Sequence, residues 1–479
     1  MLFNSLQFCV FFVVVTVLYY GLPSQWRWKM LLVASCVFYM AFVPAYIFIL
    51  FGTIIIDYFM GLKIAATEGP RRKLYLQISI VATCLVLFIF KYCNFFSLSV
   101  RQLQHFLGDS PSFPLAHIIL PIGLSFHTFQ SLSYVIEVYR GKQKPEKNFG
   151  IYSLYVMFYP QLVAGPIERP QNLLHQFYEE HPFDIENLVI GLRHIAWGFF
   201  QKMVIADRCA IYVNRAYDDW SMRSGLTLMI ATALFSIQIY SDFAGYSNIA
   251  IGCARIMGFR LMRNFNHPYF SIRIAEFWTR WHISLSTWFR DYVYIPLGGN
   301  RVSRLRHCGI LLVTFGISGL WHGANWTFVI WGLYNGALLI IENVFEKAVG
   351  EVHLNWLLTQ VKRVVVLFAI CIGWVFFRAQ SLTAALGILH RMFLSFSVSV
   401  ESLKWAVELF TNDSSAMAVG IVTVLLILGM LVLEKLGEDG YETMWLSGLR
   451  PQTFVIIAAF ETVMLFGVLQ PSAFIYFQF

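Results

Sequence analysis

The chain of 479 residues is 58% hydrophobic and 17% aromatic but only 13% charged, and its mean hydropathy is +0.63. A soluble domain carries about 25% charged residues, so this composition excludes an ordinary soluble protein. In a soluble protein the net charge of +8 would suggest a nucleic-acid partner. In a membrane protein it is typical of cytoplasmic loops rich in Lys and Arg, and we expect no nucleic acid here.

Long apolar runs recur along the whole chain. A hydrocarbon core about 30 Å thick needs roughly 20 apolar residues per helix. The pattern predicts an all-α, polytopic integral membrane protein that crosses the lipid bilayer about eleven times. The predicted spans are Met1–Tyr20, Met30–Val43, Ala45–Leu62, Leu74–Tyr92, Leu115–Tyr139, Gly225–Ile256, Ile310–Phe328, Val329–Ile341, Val364–Phe377, Ala416–Leu433 and Thr453–Leu469.

Three segments differ from plain spans. Ile151–Gly165 is apolar but short, which predicts a re-entrant or interfacial helix. The polar run Ser241–Asn248 predicts an unwound interruption of the span Gly225–Ile256, because irregular backbone at membrane depth is tolerated only where protein or a water-filled cavity surrounds it. Leu188–Tyr212 is apolar but carries several charges, and we predict a mixed helix there.

The segment from Arg255 to Arg306 contains nine arginines, no lysine and two acidic residues. It is too polar to span, and we predict one or two amphipathic helices at the cytoplasmic interface. Their lipid side would carry Trp278, Trp281, Trp288 and Phe289. The eight cysteines include no C-x-x-C pair, so we expect no metal site. We predict a single domain over 1–479, with a core segment at 255–335 and an aromatic tail at 470–479.

Two Trp-His pairs, Trp281-His282 and Trp321-His322, mark the candidate site. The second pair lies in a run that is otherwise apolar enough for a bilayer. An ionisable side chain at that depth is costly, so it marks a functional site by default. The alternative for each histidine is a structural role, bonded to a neighbouring helix or lying at the interface beside tryptophans.

Several motifs resemble one family closely. They are Ser241–Asn248, Asn264-Phe265-Asn266-His267-Pro268, Glu276–Arg301, Gly319–Trp326, Leu120–Phe126, Ala164–Ile167 and Tyr476-Phe477-Gln478-Phe479. Together they resemble the membrane-bound O-acyltransferases, and most of all the bacterial alginate O-acetylation subgroup. The resemblance covers nearly the whole chain. It implies helices around a central tunnel, with His322 as the residue most tied to acyl transfer and His282 at the cytoplasmic end of the tunnel.

The chemistry suits these residues, because moving an acetyl group from a thioester to a hydroxyl requires a base for the hydroxyl proton. Imidazole is the usual general base. The resemblance implies a multi-pass O-acetyltransferase of the bacterial inner membrane that takes acetyl from acetyl-CoA, with no permanently bound cofactor. It also implies transfer to an extracytoplasmic polysaccharide such as alginate, peptidoglycan or cellulose. The expected partner is a periplasmic Ser-His-Asp acetyltransferase.

The arginines have two interpretations. Cytoplasmic loops are basic in any membrane protein, and this alone accounts for most of them. Alternatively, Arg280, Arg290 and Arg301 hold the phosphates of acetyl-CoA, since arginine offers phosphate a bidentate geometry that lysine does not.

The C-terminal tail also has two interpretations. Its four aromatic residues suit an interfacial belt. Alternatively the tail folds back with Phe474, Phe477 and Phe479 as anchors, and Tyr476 accepts the acetyl group as a nucleophile. Two other functions remain open at this point: a transporter of an acyl donor or polymer, and transfer of a different acyl group such as D-alanine.

Overall fold

The computed structural model describes residues 1–108, 115, 120–163, 165–350, 355–396, 400, 414–438, 449–468 and 474–475. Every regular element in these ranges is helical. Within the described part of the chain, seven helices are long and apolar enough to cross a membrane: Tyr46–Ala66, Pro70–Phe106, Ile185–Asp218, Gly225–Ile256, Trp326–Ala348, Trp356–Arg378 and Gly420–Glu438. The predicted all-α, polytopic membrane fold is confirmed, while the count of eleven spans stays a prediction.

The chain divides into two compact units, Met1–Ile195 with Ser247–Met262, and Ala196–Tyr246 with Arg263–Phe479. The first unit holds α1 (Leu6–Gly21), α2 (Ser24–Met40), α3 (Tyr46–Ala66), α4 (Pro70–Leu87), α5 (Cys93–Phe106), α6 (Leu124–Tyr139), α7 (Phe149–Met157), α8 (Tyr159–Leu162), α9 (Pro170–Leu173) and most of α10 (Ile185–Phe199). A π-helical turn, Phe88–Tyr92, joins α4 to α5.

The short segment Ile151–Gly165 forms an interrupted helix, α7 and α8, buried throughout its described residues. Its re-entrant or interfacial position stays a prediction. A break in buried backbone leaves polar groups that need partners. The Ser35 hydroxyl accepts the N–H of Tyr159 over 3.1 Å. Gln130 and Gln161 both donate to the carbonyl of Tyr155, over 2.6 and 2.8 Å. These side chains satisfy the backbone groups that the break releases.

The second unit contains α11 (Asp207–Asp218), the first part of α12 (Gly225–Ile256), α13 (Ile274–Arg280), α14 (Ile283–Phe289), α15 (Arg304–His322), α16 (Trp326–Val349), α17 (Trp356–Arg378), α18 (Leu382–Phe393), α19 (Ser414–Glu438) and α20 (Leu449–Phe466). A π-helical segment, Phe200–Ala206, precedes α11, and another, Arg290–Tyr294, follows α14.

The predicted interruption of α12 is wrong, because the helix runs unbroken from Gly225 to Ile256. Its polar residues serve contacts between elements instead. Asp242 pairs with a lysine of the π-helical segment. At Gly245 an added Cβ would come within 2.7 Å of the carbonyl oxygen of Gly198. Polar and small residues in this stretch therefore mark close helix packing rather than unwound backbone.

Two short helices, α13 and α14, lie in the arginine-rich segment as predicted, and their cytoplasmic location stays a prediction. The predicted lipid side is wrong for three of the four aromatic residues named for it. Trp281, Trp288 and Phe289 are buried in protein, and Trp278 is half-buried. The ring of Trp281 packs 5.1 Å from those of Phe265 and Trp374. Large aromatic side chains here fill the interior of the unit.

Helices α15 and α16 cross with their backbones in close contact. An added Cβ would lie 2.2 Å from the carbonyl oxygen of Phe328 at Gly319, and 2.1 Å from that of Phe315 at Gly332. The predicted span Ile310–Phe328 is wrong at its end, because α15 stops at His322 and α16 starts at Trp326. Asn325 caps α16 by accepting the N–H of Thr327.

Candidate active site

His282 lies between α13 and α14 in a backbone conformation that few side chains adopt. Its φ of 43° is in the left-handed region, where histidine occurs more often than most other non-glycine residues. The residue is 1% exposed. Burial lowers the pKa of His282 below its ordinary value, because the charged form loses its hydration. The imidazole is therefore held in its neutral form.

Two backbone hydrogen bonds pair the chain before α13 with the chain around His282. The N–H of Asn266 donates to the carbonyl of Arg280 over 2.9 Å, and the N–H of Ile283 donates to the carbonyl of Asn264 over 2.8 Å. We call this arrangement the paired turn, residues 264–266 and 280–284. It fixes the backbone on both sides of His282 and so determines where the ring points.

His322 is the last residue of α15 and is 4% exposed. Three aromatic rings surround its imidazole, with centroids 4.9 Å away for Trp321, 5.0 Å for Trp331 and 5.5 Å for Phe377. The helix end places the histidine beside a break in the backbone, not in the middle of a span as the sequence suggested. We call this surrounding the histidine pocket: Trp321, Trp331, Phe377 and the two histidines.

The centroids of the two imidazoles, His282 and His322, are 6.4 Å apart. The resemblance implied that His282 serves the same tunnel as His322 from its cytoplasmic end, and that location stays a prediction. The structure places the two rings next to each other, from two segments forty residues apart. Both histidines therefore belong to a single candidate site.

One wall of the pocket is formed by α12 and the C-terminal tail. The ring of Phe243 lies 4.5 Å from that of His282 and 5.4 Å from that of Phe474. Phe474 is fully buried and also packs 4.7 Å from Tyr246. Phe474 is thus buried, as expected of an anchor, and the folding back of the rest of the tail stays a prediction. Tyr476, Phe477 and Phe479 lie outside the described residues.

A buried ionic cluster supports the same wall. Nζ of Lys202 lies 2.9 Å from Oδ1 of Asp207 and 2.6 Å from Oδ1 of Asp242. The N–H of Ile475 donates to Oδ2 of Asp242 over 2.7 Å. Buried charges persist only when paired and hydrogen-bonded. The tail backbone therefore supplies one of the bonds that satisfy Asp242.

The three predicted phosphate-binding arginines have different surroundings. Arg280 bonds Oε1 of Glu276 over 2.6 Å and Oε1 of Glu438 over 2.7 Å. The Arg290 side chain is 59% exposed and bonds the neighbouring Asp291. Arg301 is exposed. Arg280 is committed to carboxylates, whereas Arg290 and Arg301 face solvent.

Sequence reasoning did not connect Lys202, Asp207 and Glu434 with the surroundings of this site. Lys202 and Asp207 are five residues apart, which does not align two side chains on an α-helix. The π-helical segment between them has i→i+5 hydrogen bonds, and this geometry brings them together. Glu434 lies just beyond the predicted span Ala416–Leu433, yet α19 continues to Glu438.

Comparison with known proteins bears on the same region. A model of the membrane-bound O-acyltransferase family matches residues 147–384, a range that contains both histidines. The probable alginate O-acetylase AlgI of Pseudomonas aeruginosa is 39% identical over 396 residues, which make up 82% of this chain and 75% of that relative. The chain belongs to the membrane-bound O-acyltransferase family.

Two further relatives from this comparison differ in what they transfer. The peptidoglycan O-acetyltransferase of Helicobacter pylori is 34% identical over 77% of this chain and 73% of its own length. The teichoic acid D-alanyltransferase of Bacillus subtilis is 29% identical over 56% of this chain and 68% of its own length. Membership in this family makes the chain a multi-pass membrane acyltransferase. It sets aside the alternative of a transporter that catalyses nothing.

Proposed function

We propose that this acyltransferase takes acetyl from cytoplasmic acetyl-CoA for O-acetylation of an extracytoplasmic polysaccharide, in the bacterial inner membrane. The observation that carries the proposal is the pair of buried imidazoles 6.4 Å apart inside the family-matched segment. The acetyl group is favoured over D-alanine because the O-acetylating relatives are more similar to this chain and match more of it. Alginate, peptidoglycan and cellulose remain the candidate polymers.

In the proposed reaction a hydroxyl oxygen attacks the thioester carbonyl while His322 removes the hydroxyl proton. The C–S bond then breaks, and the CoA thiolate leaves and takes that proton from His322, which returns the base to its neutral form. General base catalysis of this kind contributes about 10²–10⁴-fold to a rate. Neutral His282 lies beside the reacting group and orients it. The exposed Arg290 and Arg301 suit the phosphates of CoA, as charged donors near water do.

The test of this function uses the purified protein in lipid vesicles. We expect it to release free CoA from acetyl-CoA, and to do so faster than from D-alanyl or long-chain acyl thioesters. Vesicles with the donor inside and a polysaccharide outside report the direction of transfer. Absence of CoA release from acetyl-CoA, or release only from another thioester, would exclude acetyl-CoA as the donor.

The tail extends this proposal to a relay through Tyr476. A phenol has a pKa of about 10, so it is deprotonated more easily than an aliphatic alcohol. Its oxygen would attack the thioester carbonyl and give its proton to His322. The resulting aryl ester would pass acetyl to the serine of a periplasmic Ser-His-Asp acetyltransferase, which regenerates the phenol. The buried Phe474 and the bond from Ile475 to Asp242 anchor the two residues before it.

We expect Tyr476→Phe to abolish polymer acetylation, because it keeps the ring and removes the nucleophile. The measurement is acetate content of the cell-envelope polymer, with acetyl-labelled peptide at the C-terminus sought by mass spectrometry. Tyr178→Phe is the matched control, because Tyr178 is exposed and its hydroxyl donates a hydrogen bond to Glu146. Normal polymer acetylation by Tyr476→Phe would exclude the relay and leave the tail as an anchor.

A further inference from the structure

Helix α19 ends with two carboxylates one turn apart on the same face, Glu434 and Glu438. Glu434 is buried: its Oε2 accepts the hydroxyl of Tyr240 over 2.8 Å and lies 2.6 Å from Nδ1 of His267. Glu438 accepts from Arg280 over 2.7 Å and from Lys435 over 2.8 Å. Neither carboxylate lies in the histidine pocket.

Their partners nevertheless flank the paired turn. His267 directly follows residues 264–266, and Arg280 opens residues 280–284. The hydrogen bond between Asn266 and Arg280 joins the two segments of the paired turn. It lies next to the residues that contact the two carboxylates, His267 and Arg280. One face of α19 therefore contacts residues at both segments of the paired turn, which carries His282.

The paired turn needs such support, because the backbone is strained within it at His282 and directly after its first segment at His267. Among the described residues, His267 and His282 are the two non-glycine residues with positive φ, at 48° and 43°. Left-handed backbone brings the Cβ of such a residue too close to the following carbonyl oxygen. Strained conformations persist only where the surrounding structure determines them. The hydrogen bond between His267 and Glu434 supplies that support at His267.

We propose that Glu434 and Glu438 are positioning residues, which hold the paired turn so that His282 faces His322. The inference rests on the proposed function for its catalytic consequence. It assigns α19 to the support of the active site, and it gives Arg280 a structural role in place of the phosphate-binding role. A displacement of about 1 Å at a catalytic group costs on the order of 10²-fold in rate.

The experiment compares Glu434→Gln and Glu438→Gln with the control Glu346→Gln. Glu346 also lies on a membrane-spanning helix and pairs with an arginine of the same basic segment, Arg273, away from the paired turn. We expect kcat for CoA release to fall about 10–100-fold in the two α19 variants. KM for acetyl-CoA should stay within about twofold, because the donor phosphates do not contact these carboxylates. The control should keep the wild-type kcat.

A double-mutant cycle tests the path through the arginine. If Glu438 acts through Arg280, then Glu438→Gln with Arg280→Gln should lose no more activity than either change alone. Two outcomes would overturn the inference. One is a lower KM in Glu438→Gln together with a higher KM in Arg280→Gln, which would mean that Arg280 binds donor phosphate. The other is full additivity of the two losses.

Hydrogen exchange gives a readout that needs no enzymatic activity. In Glu434→Gln and Glu438→Gln the amides of Asn266 and Ile283 should exchange faster than in wild type, while in Glu346→Gln they should not. Unchanged exchange of these amides in the two α19 variants would overturn the positioning role, whatever their kcat. Faster exchange with unchanged kcat would overturn it as well. A wild-type protein that releases no CoA would refute the proposed function, and the exchange result would still decide whether α19 holds the turn.

Discussion

His322→Ala should abolish acyl transfer while leaving expression and membrane insertion intact. The imidazole ends α15 inside the histidine pocket, and its removal takes away the proposed base without touching the crossing of α15 with α16 at Gly319 and Gly332. General base catalysis accounts for about 10²–10⁴-fold, so residual CoA release should fall by at least that lower bound. The measurement is CoA release by purified protein and acetate content of the polymer in cells.

His307→Ala is the matched control for this variant. His307 lies near the start of the same helix, where its Nε2 is 2.8 Å from the hydroxyl of Tyr294, outside the pocket. Its loss should leave CoA release within about twofold of wild type, which is the scale of surface substitutions away from a site. Near-normal acetylation by His322→Ala would show that another group removes the proton.

Lys202→Met should cause the largest loss of stability among single changes in the second unit. Lys202 is 1% exposed and lies between Asp207 and Asp242, so its removal leaves two buried carboxylates without their ammonium. Breaking a buried ionic group in this way costs roughly 3–5 kcal/mol. Thermal unfolding of the purified protein in detergent, followed by tryptophan fluorescence, should show a clear fall in Tm.

The control variant and the rescue variant for Lys202→Met are both chosen from how deeply the charged side chains are buried. Lys435 bonds Glu438 but its side chain is 35% exposed, so Lys435→Met should cost only about 0–1 kcal/mol. Combining Lys202→Met with Asp207→Asn and Asp242→Asn removes the uncompensated charge and should recover most of the lost stability. A Tm for Lys202→Met equal to that of Lys435→Met would refute the importance of the buried cluster.

The sequence predicted well the features that depend on local composition. The apolar runs indicated membrane helices, and the two Trp-His pairs stood out because imidazole is rare in such surroundings. Their meeting in one pocket was not predictable from periodicity. It depends on the left-handed backbone at His282 and on the end of α15 at His322. Both are set by contacts with distant segments.

The failures share one physical cause, which is that the interior of this protein and the lipid both favour apolar and aromatic side chains. Trp281 and Trp288 fit a membrane interface by composition, yet they are buried inside the protein. The sequence around Asp242 and Gly245 indicated a break in α12. In the structure the helix is continuous there: Asp242 pairs with Lys202, and Gly245 lies against the backbone of Gly198. The type of a side chain indicates whether its surroundings are apolar. Only the fold shows whether those apolar surroundings are lipid or the protein interior.

The contact of the tail with α12 has a consequence for how the enzyme is made. Ile475 bonds Asp242 across 233 residues of chain, and Phe474 packs on Phe243, whose ring contacts His282. Ribosomes add about 5–20 residues per second, so α12 waits on the order of 10–50 s for this last part of its wall. In the later part of that interval, once His322 has been added, the nascent chain contains both histidines but not yet the residues that contact Asp242 and Phe243. Synthesis of Phe474 and Ile475 is thus the step that gives α12 this contact beside His282.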